Sequence, residues 1–313
     1  MAVIGKSDLV VFPLGLGGNT FGWTSDKETS FSVLDGYVAG GGNFVDTADS
    51  YSAWVPGHGG GESESIIGQW TKARGNRDSV VIATKVSRHP QFRGLSAKII
   101  HGGAEASLTR LQTDYIDLYY AHYDDPDVPV QESAGAFREL QVAGKIRNVG
   151  LSNYTAPRLR EWFAVCQAEG WPPPVAFQPH YNLVAREPYE SEFAPIVAEF
   201  GIGVLPYSAL ASGFLAGKYR TACDNAGTAR QPAAARYLTP AGLAVLAALD
   251  NIAAARGVEV ASVAIAWLLT RPGVVAPLAS ARTVDQLGPL LAAATLKLTA
   301  DEVNALGVAS AEA

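Results

Sequence analysis

The chain has 313 residues, of which 48% are hydrophobic and 17% charged, and its formal net charge is −6. This length and composition allow a large buried core without disulfides or metals, while the negative charge argues against a nucleic-acid partner, which would need a basic face. No uninterrupted apolar run reaches about 18 residues, and Cys166 and Cys223 match no metal or redox spacing, so we expect a cytoplasmic protein without a membrane span.

The chain alternates short apolar runs with helical patterns. Residues 3–11 predict a hairpin with its turn at 6–8, and residues 14–17 predict the first strand. Further strands are predicted at 43–46, 80–85, 115–122, 146–152, 175–178, 203–207 and 274–278. Helices are predicted at 26–39 (capped by Ser25), 62–72, 96–111, 130–143, 156–169, 191–200, 240–256, 260–270, 283–293 and 299–306.

The glycines within and after the first predicted strand suggest a dinucleotide-binding motif that the following residues do not support. Residues 15–20, Gly-Leu-Gly-Gly-Asn-Thr, are similar to a dinucleotide-binding fingerprint. The sixth position is Thr20, however, and no helix is predicted to open there. We therefore reject a Rossmann-type site at this position.

Eight strands, each regularly followed by a helix, indicate parallel pairing through crossovers. Eight such units in this length predict an α/β fold with one (β/α)8 TIM barrel, occupying residues 1–313 as a single domain. An N-terminal β-hairpin precedes the barrel. The long loop after the seventh strand, residues 208–238, exceeds a bare connection and is typical of a lid or binding loop.

Polar residues recur where the predicted strands end. In a parallel barrel these ends form the ligand-binding face. The residues in strand order are Asp46 with Tyr51 in its loop, Lys85, His122, Ser152 and Asn153, Gln178, and Tyr207 with Ser208. Taken singly, Asp46 could cap a turn, Lys85 could be a solvated strand end and His122 a satisfied rim histidine. Their coincidence on one rim predicts a catalytic site.

The residue types on this rim suit charge that appears on a carbonyl oxygen. A lysine beside Tyr51 is expected to lower the pKa of the phenol from about 10, and Asp46 would keep that lysine charged. Tyr51 would then act as a general acid, or as a base in reverse, while His122 holds the same oxygen. The chain has no Gly-x-Ser-x-Gly, His-x-x-x-His or Cys-x-x-Cys motif. Hydride transfer with a dissociable cofactor, and no metal, is the economical hypothesis.

Seven segments in fixed order carry a resemblance to a known family. They are LGLG at 14–17, FVDTADSY at 44–51, ATK at 83–85, DLYYAH at 117–122, GKIRNVGLSN at 144–153, QPHYN at 178–182 and PYSALASGFLAGKY at 206–219. Together they resemble the aldo-keto reductase superfamily over essentially the whole chain, closest to bacterial NADP-dependent members. The resemblance implies a (β/α)8 barrel that binds NADP(H) at its C-terminal rim. It assigns Tyr51 as general acid, Asp46 and Lys85 as the pair that tunes it, and His122 as the group that orients the carbonyl.

The resemblance also implies a set of cofactor-binding residues. Ser152, Asn153 and Gln178 would hold the nicotinamide amide, and Tyr207 would stack on its ring unless it is a core aromatic under the lid. The pyrophosphate loop would use Ser208, Leu210, Ser212, Gly213 and Lys218, and the adenosine end would use Ser280, Arg282 and Gln286.

The adenosine end matches the family less regularly. Arg282, with the N-terminus of the following helix, could receive the 2′-phosphate, or it could be a solvated helix-start residue. Gln286 matches the family's glutamine, but Leu290 stands where the family often has asparagine.

Trp23, Trp54 and Tyr123 are expected to wall the substrate pocket, although Trp54 could instead pack beneath its loop. Aromatic walls suit a flat or ring-shaped carbonyl compound, including sugars. The leading hypothesis is an NADPH-dependent aldo-keto reductase whose partner is a small carbonyl or alcohol. The alternatives are an alcohol dehydrogenase working in the oxidative direction and a regulatory subunit that senses nucleotides. A regulatory member can keep the same four catalytic-type residues, so their presence does not decide between an enzyme and a regulatory subunit.

Overall fold

The structure, a computed structural model, describes residues 1–221, 223–224 and 227–313. The three remaining residues belong to the predicted loop 208–238 and lie outside the described residues. At the N-terminus, strands β1 (Ala2–Val3) and β2 (Val10–Val11) pair antiparallel, which confirms the predicted hairpin. Ile4, Leu9 and Val11 are buried in one cluster with side chains of the barrel strands, so the hairpin covers one end of the barrel.

Eight parallel strands form the central sheet, and they confirm the predicted barrel. Their bounds are β3 Gly15–Gly17, β4 Phe44–Asp46, β5 Val81–Val86, β8 Ile116–Ala121, β9 Ile146–Ser152, β10 Ala176–Gln178, β11 Gly203–Val204 and β12 Leu278–Ala279. The strand order is β11-β10-β9-β8-β5-β4-β3-β12. The barrel closes where the Val275 N–H donates to Val204 O at 2.9 Å and the Leu278 N–H donates to Pro206 O at 2.9 Å.

The helices lie outside the sheet and bury their apolar faces against it. Their bounds are α1 Lys27–Ala39, α2 Glu62–Arg74, α3 Ala97–Leu111, α4 Val130–Val142, α5 Ala156–Glu169, α6 Ala194–Phe200, α7 Gln231–Ala235, α8 Pro240–Arg256, α9 Val260–Leu269, α10 Leu287–Ala293 and α11 Ala300–Ala309. No helix in the described part of the chain is by itself long and apolar enough to cross a membrane. Among the described helices, α8 and α9 taken together are the one pair that reaches that length and composition, and they are bent by 101°.

Local sequence explains why many helix ends were predictable. In α5 the Thr155 side chain accepts the Arg158 N–H, and Pro157 occupies the first turn, where its missing N–H costs no hydrogen bond. Gly170 then ends the helix at φ 66°, a left-handed conformation that glycine adopts without strain. The predicted bounds of 156–169 match the observed helix.

Several predicted elements differ in detail. Asp26, rather than Ser25, caps α1, because its carboxylate accepts the Thr29 N–H at 2.8 Å. The predicted helix at 191–200 begins as a π-helical turn, Tyr189–Phe193, and becomes α-helical at Ala194. The predicted helix from 283 is a 3-10 turn, Val284–Gln286, before α10. A 3-10 turn also follows the first barrel strand at Gly18–Thr20, but no α-helix opens there.

Two segments carry structure that was not predicted. The long loop after the seventh strand contains a 3-10 segment, Ala211–Ala216, and the short helix α7. After β5 the chain forms a small antiparallel hairpin from β6 (Arg88–His89) and β7 (Phe92–Arg93). Two-residue strands are too short to show a period of two in the sequence.

Candidate active site

Three of the predicted catalytic residues meet at one buried amine. Asp46 ends β4 and pairs with Ala83 of the adjacent strand β5, and Lys85 lies two residues further along β5. The Lys85 ammonium donates to Asp46 Oδ1 at 2.5 Å, to Thr47 O at 2.7 Å and to the Tyr51 hydroxyl at 3.1 Å. The Lys85 side chain is 0% exposed. All three donor positions of the ammonium are therefore used within the site.

The charges of Asp46 and Lys85 compensate each other. Burial raises the pKa of Asp46, and the Lys85 ammonium opposes that shift. Burial alone would lower the pKa of Lys85, but Asp46 and Tyr51 outweigh it, so the pKa of Lys85 is raised. Gln178 Nε2 also donates to Asp46 Oδ2 at 2.9 Å, so both carboxylate oxygens are hydrogen-bonded. We conclude that this is a compensated ion pair in a dry site.

The pKa of Tyr51 corrects one expectation. Burial raises the pKa of this phenol, and the opposing effect of Lys85 is the smaller one. The predicted net lowering of the pKa is therefore wrong, because burial outweighs the effect of the Lys85 ammonium and the nearby Asp46 carboxylate raises the pKa further. Tyr51 keeps its proton at neutral pH, which suits a proton donor.

His122 follows strand β8 and faces Tyr51. Its backbone N–H donates to Val86 O at 2.9 Å, and its ring centroid lies 6.3 Å from that of Tyr51. Burial, then Lys85 and Arg88, lower the pKa of His122 well below its usual value, so the imidazole is neutral at physiological pH. Within the described residues its buried Nδ1 has no hydrogen-bond partner. A neutral imidazole can donate one N–H to a carbonyl oxygen.

A hydrogen-bond chain connects the next three strand ends. Asn153 Nδ2 donates to His122 O at 2.9 Å and to Ser152 Oγ at 3.0 Å. Asn153 Oδ1 accepts the Tyr207 hydroxyl at 2.9 Å, and the Ser152 hydroxyl donates to Gln178 O at 2.8 Å. Asn153 itself adopts φ 54°, a left-handed conformation that asparagine tolerates. The structure thus brings together the four residues predicted for the nicotinamide end.

Tyr207 is half-buried, and one ring face is already covered. Its ring stacks on that of His180 with centroids 5.4 Å apart and an angle of 21° between the planes. The hydroxyl is fixed by Asn153, so the ring orientation is held at both ends. Such a ring is a rigid platform for a flat ligand.

The remaining predicted cofactor residues line one cleft beside this platform. They are Ser208, Leu210, Ser212, Gly213, Lys218, Ser280, Arg282 and Gln286. Ser208, Ser212 and Gly213 adopt positive φ values of 56°, 59° and 97°. Successive backbone N–H groups in such conformations form concave sites for anions.

Sequence reasoning missed Arg230, which lines the same cleft. Burial and then Arg282 lower the pKa of Arg230, and burial, Arg282 and Arg230 lower the pKa of Lys218, so the three cations lie together. Neither Arg230 nor Arg282 forms an ion pair with a carboxylate of the described chain. The only signal for Arg230 was a basic residue in a predicted binding loop. An anion would relieve the mutual repulsion of these cations.

The segment predicted to bind the adenosine half of the cofactor does not form the expected helix N-terminus. The Arg282 N–H donates to Gln286 Oε1 at 3.0 Å, and the α-helix begins only at Leu287. The prediction that a helix N-terminus begins directly after Arg282 is therefore wrong, since a 3-10 turn intervenes. Leu290 is 4% exposed and packs in the core, so it cannot take the place of a polar contact.

Aromatic side chains surround the opening above Tyr51. Trp23 and Trp54 meet edge to face at 5.4 Å, and the ring of Trp54 lies 6.2 Å from that of Tyr51. Tyr123 contacts His122 from the other side, with centroids 5.1 Å apart. Trp54 is 51% exposed, which does not fit a packing residue beneath its loop. The three predicted pocket residues therefore stand at the mouth of the site.

Comparison with known proteins relates nearly the whole chain to one family. Residues 13–310 match the Aldo/keto reductase family. The chain is 32% identical to norsolorinic acid reductase B of Aspergillus parasiticus, over 95% of this chain and 80% of the relative. It is 36% identical to the aldo-keto reductase YhdN of Bacillus subtilis, over 88% and 81%. It is also 34% identical to a probable voltage-gated potassium channel subunit beta of Arabidopsis thaliana, over 91% and 88%.

Proposed function

The chain belongs to the aldo/keto reductase family and is an oxidoreductase acting on carbonyls, and from this premise we propose that it reduces an aldehyde or ketone with NADPH, using Tyr51 as the acid. One observation carries the proposal. The Lys85 ammonium contacts both the Asp46 carboxylate and the Tyr51 hydroxyl, at 2.5 Å and 3.1 Å. This arrangement keeps a protonated phenol next to a fixed positive charge.

Each side chain at the rim has a different role in the proposed reaction. The cofactor, when bound, supplies the hydride that the carbonyl carbon accepts. Tyr51 gives its proton to the carbonyl oxygen, and the charge left on the phenol is stabilised by the adjacent ammonium of Lys85. Asp46 keeps that ammonium charged within the buried site, and His122 orients the oxygen through a ring N–H. One hydride and one proton convert the carbonyl to the alcohol.

The cleft residues fit a nicotinamide cofactor that carries an extra phosphate. The Asn153 and Tyr207 side chains form the platform for the ring, and the cations Lys218, Arg230 and Arg282 suit phosphate groups. Arg282 is the residue that we assign to the 2′-phosphate. Guanidinium groups match phosphate oxygens in geometry as well as charge, and this favours NADPH over NADH.

The similarity to a potassium channel subunit favours a second candidate. In this second proposal the chain is a regulatory subunit that binds NADPH through the same cleft and senses it without rapid turnover of a substrate. Such a protein would bind NADPH tightly but reduce no carbonyl compound at a useful rate. The two candidates therefore differ in turnover and not in binding.

The test is a fluorescence titration with NADPH and NADH, followed by NADPH oxidation with a panel of aldehydes, ketones and keto sugars. We expect tighter binding of NADPH and turnover of at least one carbonyl compound. Binding of NADPH without turnover of any carbonyl compound would favour the second candidate, a nucleotide-sensing subunit. If neither nucleotide binds, both candidates are wrong.

A further inference from the structure

The small hairpin β6–β7 is fixed over the active-site mouth. Ser87, which joins β5 to β6, adopts φ 120°, an unfavourable conformation for a residue with a side chain. Its hydroxyl oxygen accepts the Tyr123 N–H at 3.1 Å and so ties the hairpin to the loop that follows His122. Strain of this kind persists only where surrounding contacts enforce it.

The hairpin places a guanidinium beside the catalytic histidine. Arg88, an exposed residue, lies over the Tyr123 ring with its Cζ 4.2 Å from the ring centroid. The ring of His122 also contacts Tyr123, with the two ring centroids 5.1 Å apart. Arg88 is close enough for its charge to contribute to the lowered pKa of His122. The Arg88 guanidinium therefore packs on the same ring that contacts His122.

A second arginine stands opposite the first. Arg88 and Arg93 are register partners in the antiparallel hairpin, so their side chains leave the same face. Like charges directly opposite each other destabilise a strand pair. Neither arginine forms an ion pair with any carboxylate in the ranges that the structure describes.

The nearest acids in sequence to His122 are already engaged. The Asp124 carboxylate accepts hydrogen bonds from Nε and Nη2 of Arg158, each at 2.9 Å. Asp125 accepts the backbone N–H groups of Leu95 and Asp127, at 2.9 Å and 3.2 Å. These carboxylates support the loops at the mouth, and neither is paired with Arg88. The positive charge of the hairpin therefore remains available to a ligand.

We propose that Arg88, assisted by Arg93, binds a carboxylate on the substrate, so that the preferred substrates are ring-containing aldehydes or ketones with an acidic group. The aromatic side chains of Trp23, Trp54 and Tyr123 contact the ring, and the guanidinium on Tyr123 receives the charge. Stacking on Tyr123 leaves the N–H edge of Arg88 free for two parallel bonds to a carboxylate. This inference rests on the proposed carbonyl reduction and adds the substrate class.

The experiment compares two aldehydes of similar size, 4-carboxybenzaldehyde and its methyl ester, methyl 4-formylbenzoate. Steady-state kinetics are measured for the wild type and for Arg88→Gln, Arg88→Lys and Lys98→Gln. The last variant removes one exposed positive charge from the neighbouring helix α3 without touching the aromatic mouth. It therefore controls for a general electrostatic effect.

We expect the wild type to prefer the acid, and Arg88→Gln to lower kcat/KM for the acid about tenfold to a hundredfold, the range of a lost charge-assisted contact. The loss appears in KM, because the carboxylate is bound equally in the ground state and the transition state. Turnover of the ester changes less than about twofold. Arg88→Lys retains part of the preference, and Lys98→Gln retains all of it.

Three results would overturn the inference. If Arg88→Gln affects acid and ester equally, or if the wild type prefers the ester, Arg88 does not bind the carboxylate, although carbonyl reduction stands. If the wild type reduces neither compound, aromatic acids are not its substrates. The wider carbonyl panel then decides separately whether the proposed function survives.

Discussion

Two regions of the same rim have opposite electrostatic designs. Around Tyr51, the Lys85 ammonium is balanced by Asp46, and both are hydrogen-bonded and buried. In the predicted cofactor cleft, Lys218, Arg230 and Arg282 lie together, and burial followed by the charge of Arg282 lowers the pKa values of Lys218 and Arg230. The first region is charge-balanced by its own residues, whereas the second brings three cations together, and we expect an anion to stabilise it.

The difference indicates how this rim separates binding from chemistry. Of the proposed catalytic residues, Asp46 and Lys85 stand on the paired strands β4 and β5, and His122 directly follows the next strand, β8. The cations of the cleft come instead from the long loop after β11 and from the segment after β12. Changes in the first region should therefore alter turnover and stability, and changes in the second should alter nucleotide affinity.

The largest combined effect on stability and turnover is expected from removing the buried ammonium. Lys85→Met leaves Asp46 buried without its counter-charge, so we expect the free energy of unfolding to fall by about 3–5 kcal/mol. Turnover should fall at least about a hundredfold, since the proton donor loses its stabilising charge. Denaturant unfolding and steady-state kinetics measure the two losses.

The paired variant Asp46→Asn/Lys85→Met provides the control. It removes both charges, so most of the stability should return while the activity does not. If Lys85→Met alone were as stable as the wild type, the ion pair would not be a compensated pair in a dry site.

A smaller effect is expected in the cofactor cleft. Arg282→Ala should weaken NADPH about tenfold to a hundredfold, because one charge-assisted contact to the 2′-phosphate is lost. NADH, which lacks that phosphate, should be affected far less. Fluorescence titration of both nucleotides measures the difference, with Arg271→Ala, at a separate cleft of the barrel, as the matched control. Equal losses for NADPH and NADH would remove Arg282 from the 2′-phosphate site.

The smallest effect concerns His122 and pH. Its pKa lies well below the usual 6.5, so between these values the unfolded chain binds a proton that the folded protein does not. Stability therefore falls as the pH drops below about 6.5, by up to about 1.4 kcal/mol per pH unit from this residue. His122→Asn should show a flatter pH dependence of unfolding. Parallel profiles for wild type and variant would mean that the pKa of His122 is not lowered.

The barrel and the positions of the rim residues were predictable because both follow from strand order. Once Asp46, Lys85 and His122 were assigned to consecutive strand ends, parallel pairing required them to be neighbours. The direction of the Tyr51 pKa shift could not be predicted from the sequence. It depends on how deeply the phenol is buried, which a linear sequence does not show. Arg230 and the Arg88 hairpin were missed because irregular segments have no hydrophobic period to place them.

The most direct test of this separation is a side-by-side measurement on wild type and Tyr51→Phe. The dissociation constant of NADPH and the single-turnover rate of NADPH oxidation by an aldehyde or ketone that the wild type reduces are determined on the same preparations. Because the variant loses only the hydroxyl, we predict an unchanged dissociation constant and a rate lower by about 10²–10⁴-fold. An unchanged rate would contradict the role of Tyr51 as the acid, and a parallel loss of NADPH binding would contradict the separation of the two regions.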